Sequence, residues 1–305
     1  MFPVIEVPDE ADAFEQLGTK PKVWFRAKGN ERCLFKYIIR EGGHTTGEDW
    51  SEKVSSELWE LLGLPHAHYD FGIWKGQKGV VCPSFVPDGG RLVHGNEVLV
   101  RLSEEYPGQK FYKVRQHTLR IVLTILRDGD IEFPINWERF EGIEQAIDVF
   151  VGYLMLDAWI GNQDRHHQNW GFVVDQDRKI HLAPTFDHAS SLGWNETDEG
   201  RWERLRTKDQ RRSVERYVER ATSAFFSSPT SEKPLSTLDA FREAAKFKSI
   251  AANAWLKRLA QVSSATVSEI FKRIPSRRIT LAAKKFATKM LEHNQRRLLA
   301  LEVNK

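Results

Sequence analysis

The order of hydrophobic patterns predicts an α+β protein of two lobes: a small antiparallel sheet with one helix, then a larger, mostly helical part. Three observations predict it. Aromatic and β-branched runs separated by Gly- and Asn-containing turns crowd the first 87 residues. Apolar residues at helical spacing dominate after Pro87. One two-strand signal, GFVV and KIHLAP, interrupts the helices after Ile160. Residues 1–87 are accordingly read as the first lobe and 88–305 as the second.

Taken in order, VWFRA and RCLFKYII read as two strands joined by the turn Lys28-Gly29-Asn30-Glu31. A loop, REGGHTTGED, follows. EDWSEKVSSELWELLG then places Trp50, Val54, Leu58, Leu61 and Leu62 at helical spacing, with Gly63 as the stop. AHYDFGIWKGQKGVVCPSFV predicts two further strands around Lys75-Gly76. Segments 96–106, 109–128 and 141–160 read as helices, the last apolar enough to run through a core. Beyond residue 200 helices continue, broken by the surface loop SSPTSEKPLST.

With 305 residues, 41% of them hydrophobic, the chain can bury a substantial core, and its 29% charged residues fit a folded protein rather than a disordered one. Cys33 and Cys82 sit in apolar surroundings and are expected to be buried, reduced thiols. The opening MFPVIEVPDEADAFEQLG lacks the basic start and apolar run of a secretory signal, and no run of about 18 apolar residues occurs. A cytoplasmic protein without a membrane partner is expected. The net charge of +3 conceals an asymmetry: residues 201–305 hold 24 Lys and Arg against 10 Asp and Glu. Such a surplus suits helices packed on a more acidic half, or an acidic or nucleic-acid partner.

GNQDRHHQNWGF, residues 161–172, concentrates polar side chains directly after the apolar run FVGYLMLDAWI. A helix therefore delivers Asp164 and Asn169 onto a loop, GFVV leads away, and KIHLAP returns. Asp187, in APTFDHASSLG, should emerge beside them, because a two-strand excursion brings its ends within a few strand spacings. Two carboxylates and an amide oxygen are hard ligands, suited to Mg²⁺ and unsuited to zinc. A phosphotransferase needs this set: one carboxylate to orient and deprotonate a hydroxyl, an Asn and a second Asp to hold metal on nucleotide phosphates.

GNQDRHHQNWGF followed by LAPTFDHASSLG resembles the D-x-H-x-x-N and downstream Asp signature of the HipA-like serine/threonine kinases, matching at Asp164, His166, Asn169 and Asp187. The resemblance runs from about Val23 to Leu192 and fades in the helical tail. It implies a two-lobed fold related to protein and phosphatidylinositol kinases, with ATP and Mg²⁺ as cofactors. Asp164 would be the catalytic base, Asn169 and Asp187 the metal ligands, and Lys36 in LFKY the strand lysine on the nucleotide phosphates, although a lone strand lysine is commonly just exposed. Lys28, in the preceding turn, stands where a phosphate-covering loop belongs. For the carboxylate partner of Lys36 the family pattern favours Glu52, whereas the helical wheel favours Glu57. Phe85, within Pro83–Val86 between the lobes, would meet adenine.

His166 is read as a brace for the loop more readily than as a proton donor, and His188 as structural. Arg165 and His167 divide evenly between surface polar residues and contacts with substrate phosphate. Autophosphorylation, which occurs in some family members, would fall on Thr45, Thr46, Ser190 or Ser191. Toxin members carry an additional N-terminal subdomain, for which the roughly 20 residues before VWFRA are too few, so a toxin-antitoxin kinase toxin is an alternative that the resemblance allows but does not imply. A protein substrate is expected, a tRNA-associated protein among the conceivable ones, with an inhibitory antitoxin as a conceivable partner. Competing readings are a phosphotransferase acting on a lipid or small-molecule hydroxyl, a zinc hydrolase built on His166, His167, His181 and His188, and a non-catalytic binding module. Adjacent His166 and His167 do not easily face one ion, and all the catalytic residue types are present.

Overall fold

The computed structural model describes residues 1–10, 12–15, 22–38, 40–41 and 44–303. The strands of the first part are β1 (Val4–Glu6), β2 (Ala13–Glu15), β3 (Lys22–Arg26), β4 (Arg32–Tyr37), β5 (Arg40–Glu41), β6 (His44–Thr45), β7 (Asp70–Trp74) and β8 (Gln77–Pro83), with helix α1 (Glu48–Leu62) between β6 and β7. Six of them form one sheet in the order β1-β7-β8-β4-β3-β2, while β5 and β6 make a separate ribbon. All its pairings are antiparallel except β1 with β7. β1 and β2 were not anticipated: three residues each are too few to show a period. Ile39, expected in the second strand, and Gly42 and Gly43 of the expected loop lie outside the described residues.

Alternation organises this sheet. On β4, Cys33 and Phe35 face one way and pack with Val23, Phe25, Trp74 and Val81 in a small core. Both cysteines are free and buried, and burial pushes the Cys33 thiol up to about 11 and the Cys82 thiol up to about 12. α1 lies across β7 and β8, burying Trp50, Val54, Leu58 and Leu62 in the main core. Gly63, left-handed at φ 65°, ends the helix by donating to the Glu60 carbonyl.

β9 (Arg91–His94) opens the second part, followed by α2 (Gly95–Leu102), α3 (Leu119–Asp128), α4 (Ala146–Ile160), β10 (Gly171–Val174), β11 (Ile180–Leu182), α5 (Asp198–Arg206), α6 (Val214–Glu219), α7 (Thr237–Phe247), α8 (Ser249–Ala260), α9 (Ser264–Arg273) and α10 (Leu281–Leu299). The two-strand excursion expected after residue 170 is a three-stranded sheet, because β9 pairs with β10 on the side opposite β11. A Cβ at Gly171 would lie 2.2 Å from the Val93 carbonyl oxygen, so glycine permits this close pairing. The helix expected over 109–128 begins only at Leu119, where Thr118 caps it through the Ile121 N–H. Residues 109–118 turn instead, with Lys113 at φ 56°, and bring Phe111 and Tyr112 to the site described below.

All 15 residues of α4 are buried, as befits a helix apolar on every side. α7, α8 and α10 pack around it. The basic final third meets the acidic first part at specific pairs: Arg273 with Glu57 at 3.2 Å, and Arg278 with Asp49 at 3.0 Å. Among the described residues no helix is long and apolar enough to cross a membrane.

Candidate active site

Between the six-stranded sheet and the β9–β11 region lies a cavity of about 590 Å³. The two-residue period decides which sheet residues enter it. With Cys33 and Phe35 turned into the small core, Arg32, Leu34 and Lys36 of β4 line the cavity, and Lys22 and Trp24 of β3 join them. Lys22 stands directly opposite Lys36 across the β3–β4 ladder.

Lys36 is the centre of a charged cluster. Its Nζ lies 3.3 Å from Asp187 Oδ1 and 3.9 Å from Glu52 Oε2, and donates to the Tyr69 hydroxyl at 3.3 Å. Burial alone would lower the Lys36 ammonium, but Asp187 and Glu52 outweigh it and hold the group above its ordinary value. Glu52 is itself buried, and its Oε1 accepts the His188 N–H at 2.7 Å. Glu57 faces elsewhere: its carboxylate pairs with Lys53 at 2.6 Å and Arg273 at 3.2 Å. Of the two glutamates considered as partners of Lys36, the structure brings Glu52 to it.

The loop after α4 starts at Gly161, left-handed at φ 66°, which turns the chain out of the core. Asn162 Oδ1 then accepts the Asp164 N–H at 3.1 Å, and Asn169 Nδ2 donates to the Asp164 carbonyl at 2.7 Å. With Nδ2 committed, Oδ1 is the atom Asn169 has left for a cation. Asp164, Asn169 and Asp187 all line the cavity. His166 Nδ1 accepts the Gln168 N–H at 3.1 Å, so the proton of the neutral ring sits on Nε2, 3.7 Å from Asp164 Oδ1. Burial pushes His166 down to about 4, which keeps it uncharged near neutral pH. Its ring packs edge-on against Phe111 and Tyr112, the arrangement of a brace.

Beneath this loop Arg165 is fully buried. Its guanidinium makes a two-point pair with Asp157 of α4 and also donates to the Asn169 carbonyl at 3.2 Å. Neither reading considered for Arg165, a surface residue or a contact to substrate phosphate, holds. Asp157, in the helix below, compensates the guanidinium's charge in the interior. His167 is likewise buried, its Nδ1 bonded to the Tyr106 hydroxyl at 2.7 Å. His188 is enclosed against Thr185 Oγ1 at 2.8 Å and Trp59, and burial drives it well below its ordinary value.

Asp187 adopts φ 59°, a left-handed conformation that costs a non-glycine residue about 1 kcal/mol or more. Local bonds hold it there. Its N–H donates to the Tyr69 hydroxyl at 3.2 Å, while its carboxylate is shared between Lys36 and Lys22, the latter at 3.8 Å. Lys22, Tyr69 and Asp157 are site residues that the sequence reading missed. Alternation in KVWFR pointed to Lys22, and a lone Asp in an otherwise apolar helical run pointed to Asp157.

Phe85 lines the cavity and stacks on Phe186 with ring centroids 5.6 Å apart, an apolar wall suited to a planar base. Lys28 does not reach the cavity. It stands exposed at the tip of the β3–β4 turn, where Gly29 and Asn30 take positive φ and Arg26 bonds back to Asn30, closing the turn on itself. Of the hydroxyls considered for modification, Ser191 is buried against Ser51 and Ser55. Ser190 lines the cavity and donates to Asp164 Oδ2 at 3.4 Å. Thr46 is half-buried, and nothing is described of the Thr45 side chain. The histidines weighed for a zinc site do not assemble: His181 bonds to Asp175 at 3.1 Å while His188 is sealed behind Thr185.

The donor set fits a hard divalent cation. Asn169 Oδ1 and the Asp187 carboxylate offer hard oxygen donors, and Asp187 already gathers two ammonium groups around it.

Comparison with known proteins places residues 99–274 in the HipA-like C-terminal domain model. The serine/threonine-protein kinase CtkA of Helicobacter pylori is 25% identical over 168 residues, a match that spans 53% of this chain and 47% of that relative. The crystal structure of the H. pylori proinflammatory kinase CtkA superposes with a TM-score of 0.72 at 20% identity, covering 98% of this chain and 100% of the other. HipA of Shewanella oneidensis, solved with HipB and operator DNA, gives a TM-score of 0.57 at 13% identity, over 96% and 69% of the two chains. These likenesses establish the fold.

Proposed function

Because the chain belongs to the HipA-like C-terminal domain family, we propose that it is an ATP- and Mg²⁺-dependent protein kinase that phosphorylates Ser or Thr hydroxyls. One observation carries the reading: Lys36, held between Glu52 and Asp187, faces a cavity that Asp164 and Asn169 also line. A strand lysine locked by a helix glutamate, opposite a base and two oxygen ligands, is the working set of a phosphoryl-transfer enzyme.

On this reading residues 1–87 contribute the nucleotide-phosphate contacts and 88–305 the catalytic loop. Adenine lies against Phe85, and Lys36 neutralises charge on the phosphates. Asn169 and Asp187 would hold Mg²⁺, which supplies charge neutralisation on the transferred group. Asp164 orients the substrate hydroxyl and accepts its proton as the oxygen bonds to the γ-phosphorus and the bond to the β-phosphate oxygen breaks, releasing ADP. Arg165 and His166 keep Asp164 in place without touching substrate. The curated relative's name, a serine/threonine-protein kinase, supports the choice of acceptor.

The test is incubation of the full chain with γ-labelled ATP, Mg²⁺ and cell lysate beside Asp187→Ala. Label transferred to protein by the wild type alone is expected. Equal labelling with both chains, or none with either, overturns the reading.

A further inference from the structure

Outside the cavity, a second group of ligand atoms converges where α1 hands over to β7. We propose that Glu60, His66 and His68 bind a divalent transition ion, with Zn²⁺ the best match, at the surface of the α1–β7 connection.

The placement follows from local structure. Gly63 ends α1 and Leu64-Pro65 turns the chain into an extended segment that bridges to Thr185, with the Ala67 N–H donating to the Thr185 carbonyl at 2.9 Å. In an extended segment residues i and i+2 share a side. Ala67 and Tyr69 are buried, which leaves His66 and His68 together on the other side, ring centroids 4.5 Å apart. Glu60, on the last turn of α1, completes the group. One ligand atom from each residue lies within 4.8 Å of the others.

His66 carries the observation that points to a ligand. Its Nδ1 lies 2.8 Å from the Leu64 carbonyl oxygen, which can only accept, so Nδ1 bears the proton and Nε2 the lone pair. The His66 side chain is 4% exposed, and Nε2 is buried with no hydrogen-bond partner, 3.7 Å from Glu60 Oε2. A histidine fixed by a backbone carbonyl on one nitrogen, with a bare nitrogen aimed at a carboxylate, is oriented as metal-ligating histidines are. The nearby cation Lys53 has its ammonium taken up by Glu57 at 2.6 Å and Asp70 at 2.9 Å.

Two imidazoles and one carboxylate are a zinc-type donor set that leaves one position open to water. Mg²⁺ prefers oxygen ligands and is not expected to compete. A bound ion would tie the end of α1, which carries Glu52, to the segment that leads into Tyr69. Those are two of the groups that hold Lys36.

The test is titration of ZnCl₂ into the metal-stripped full chain by calorimetry, without nucleotide and with excess Mg²⁺ present. His68→Ala and Glu60→Gln are the variants, both at exposed positions. A single saturable site is expected in the wild type, weakened about tenfold or more in each variant. Co²⁺ loading should give the visible absorption of a four-coordinate ion, lost in His68→Ala. No saturable uptake, or the same affinity and Co²⁺ spectrum in all three proteins, overturns the proposal. Since the measurement uses no ATP and no phosphotransfer, it stands or falls apart from the kinase reading.

Discussion

Arg165 grips Asp157 at two points beneath the loop that carries Asp164 and Asn169, its Nη2 donating to Asp157 Oδ1 at 2.7 Å with both side chains out of solvent. The loop's conformation is therefore anchored to the most buried helix of the protein.

Removing one member of that pair leaves a charge uncompensated in the interior. Asp157→Ala should lower unfolding free energy by about 3–5 kcal/mol, read as a shifted urea midpoint. The doubly substituted Asp157→Leu/Arg165→Met, which buries no lone charge, should recover much of the loss. Equal destabilisation in both proteins would contradict the account.

Glu52 and Glu57 lie on one helix, five residues apart, yet Glu52 alone of the two pairs with Lys36. Phosphotransfer should fall by about 10²–10⁴ in Lys36→Met, and by a smaller factor in Glu52→Gln. Glu57→Gln should leave it unchanged. Initial rates with γ-labelled ATP discriminate these outcomes.

The proposed mechanism gives Asp164 and Asp187 different tasks, so their variants should fail differently. Asp164→Asn should keep Mg-ATP binding by calorimetry while losing about 10²–10⁴ in rate. Asp187→Ala should lose binding as well, since it removes a proposed metal ligand and a partner of both lysines.

Burial holds His66, His166 and His167 down to about 4 and His117 to about 3. Each folded value lies below the unfolded one near 6.5, so the stability from keeping these rings neutral is complete above pH 6.5 and is lost as pH falls toward 4. Asp49 works the other way: burial raises it to about 6, so over much of the same window its protonation favours the folded state. Four imidazoles outweigh one carboxyl. The urea midpoint should decline from pH 6.5 to 4, and a flat or rising profile would refute the assignment.

Particular elements show what was legible beforehand. α1 could be read almost residue for residue, because its apolar face and its stop at Gly63 are both local signals. The polar cluster after α4 stood out because a buried helix does not ordinarily run straight into D-R-H-H-Q-N. β1, β2 and β9 went unread, whereas β10 and β11, no longer than these, were legible because the turn DQDR joins them as a hairpin. Lys28 was placed by analogy with longer phosphate loops, and a four-residue turn proved too short to fold back over the cavity.

By itself the amino-acid order determined the α+β class, the helical periods, and the presence of Lys36, Asp164, Asn169 and Asp187 at spacings that a hairpin could reunite. Only the tertiary structure decided that Glu52 rather than Glu57 meets Lys36, that Lys22 and Tyr69 join Asp187, and that Arg165 turns inward to Asp157. Periodicity is a property of neighbouring residues. Which charge meets which depends on side chains from eight positions apart, as in Arg165 and Asp157, to more than a hundred, as in Lys22 and Asp187, and it is settled by the cost of leaving any of them buried without a partner.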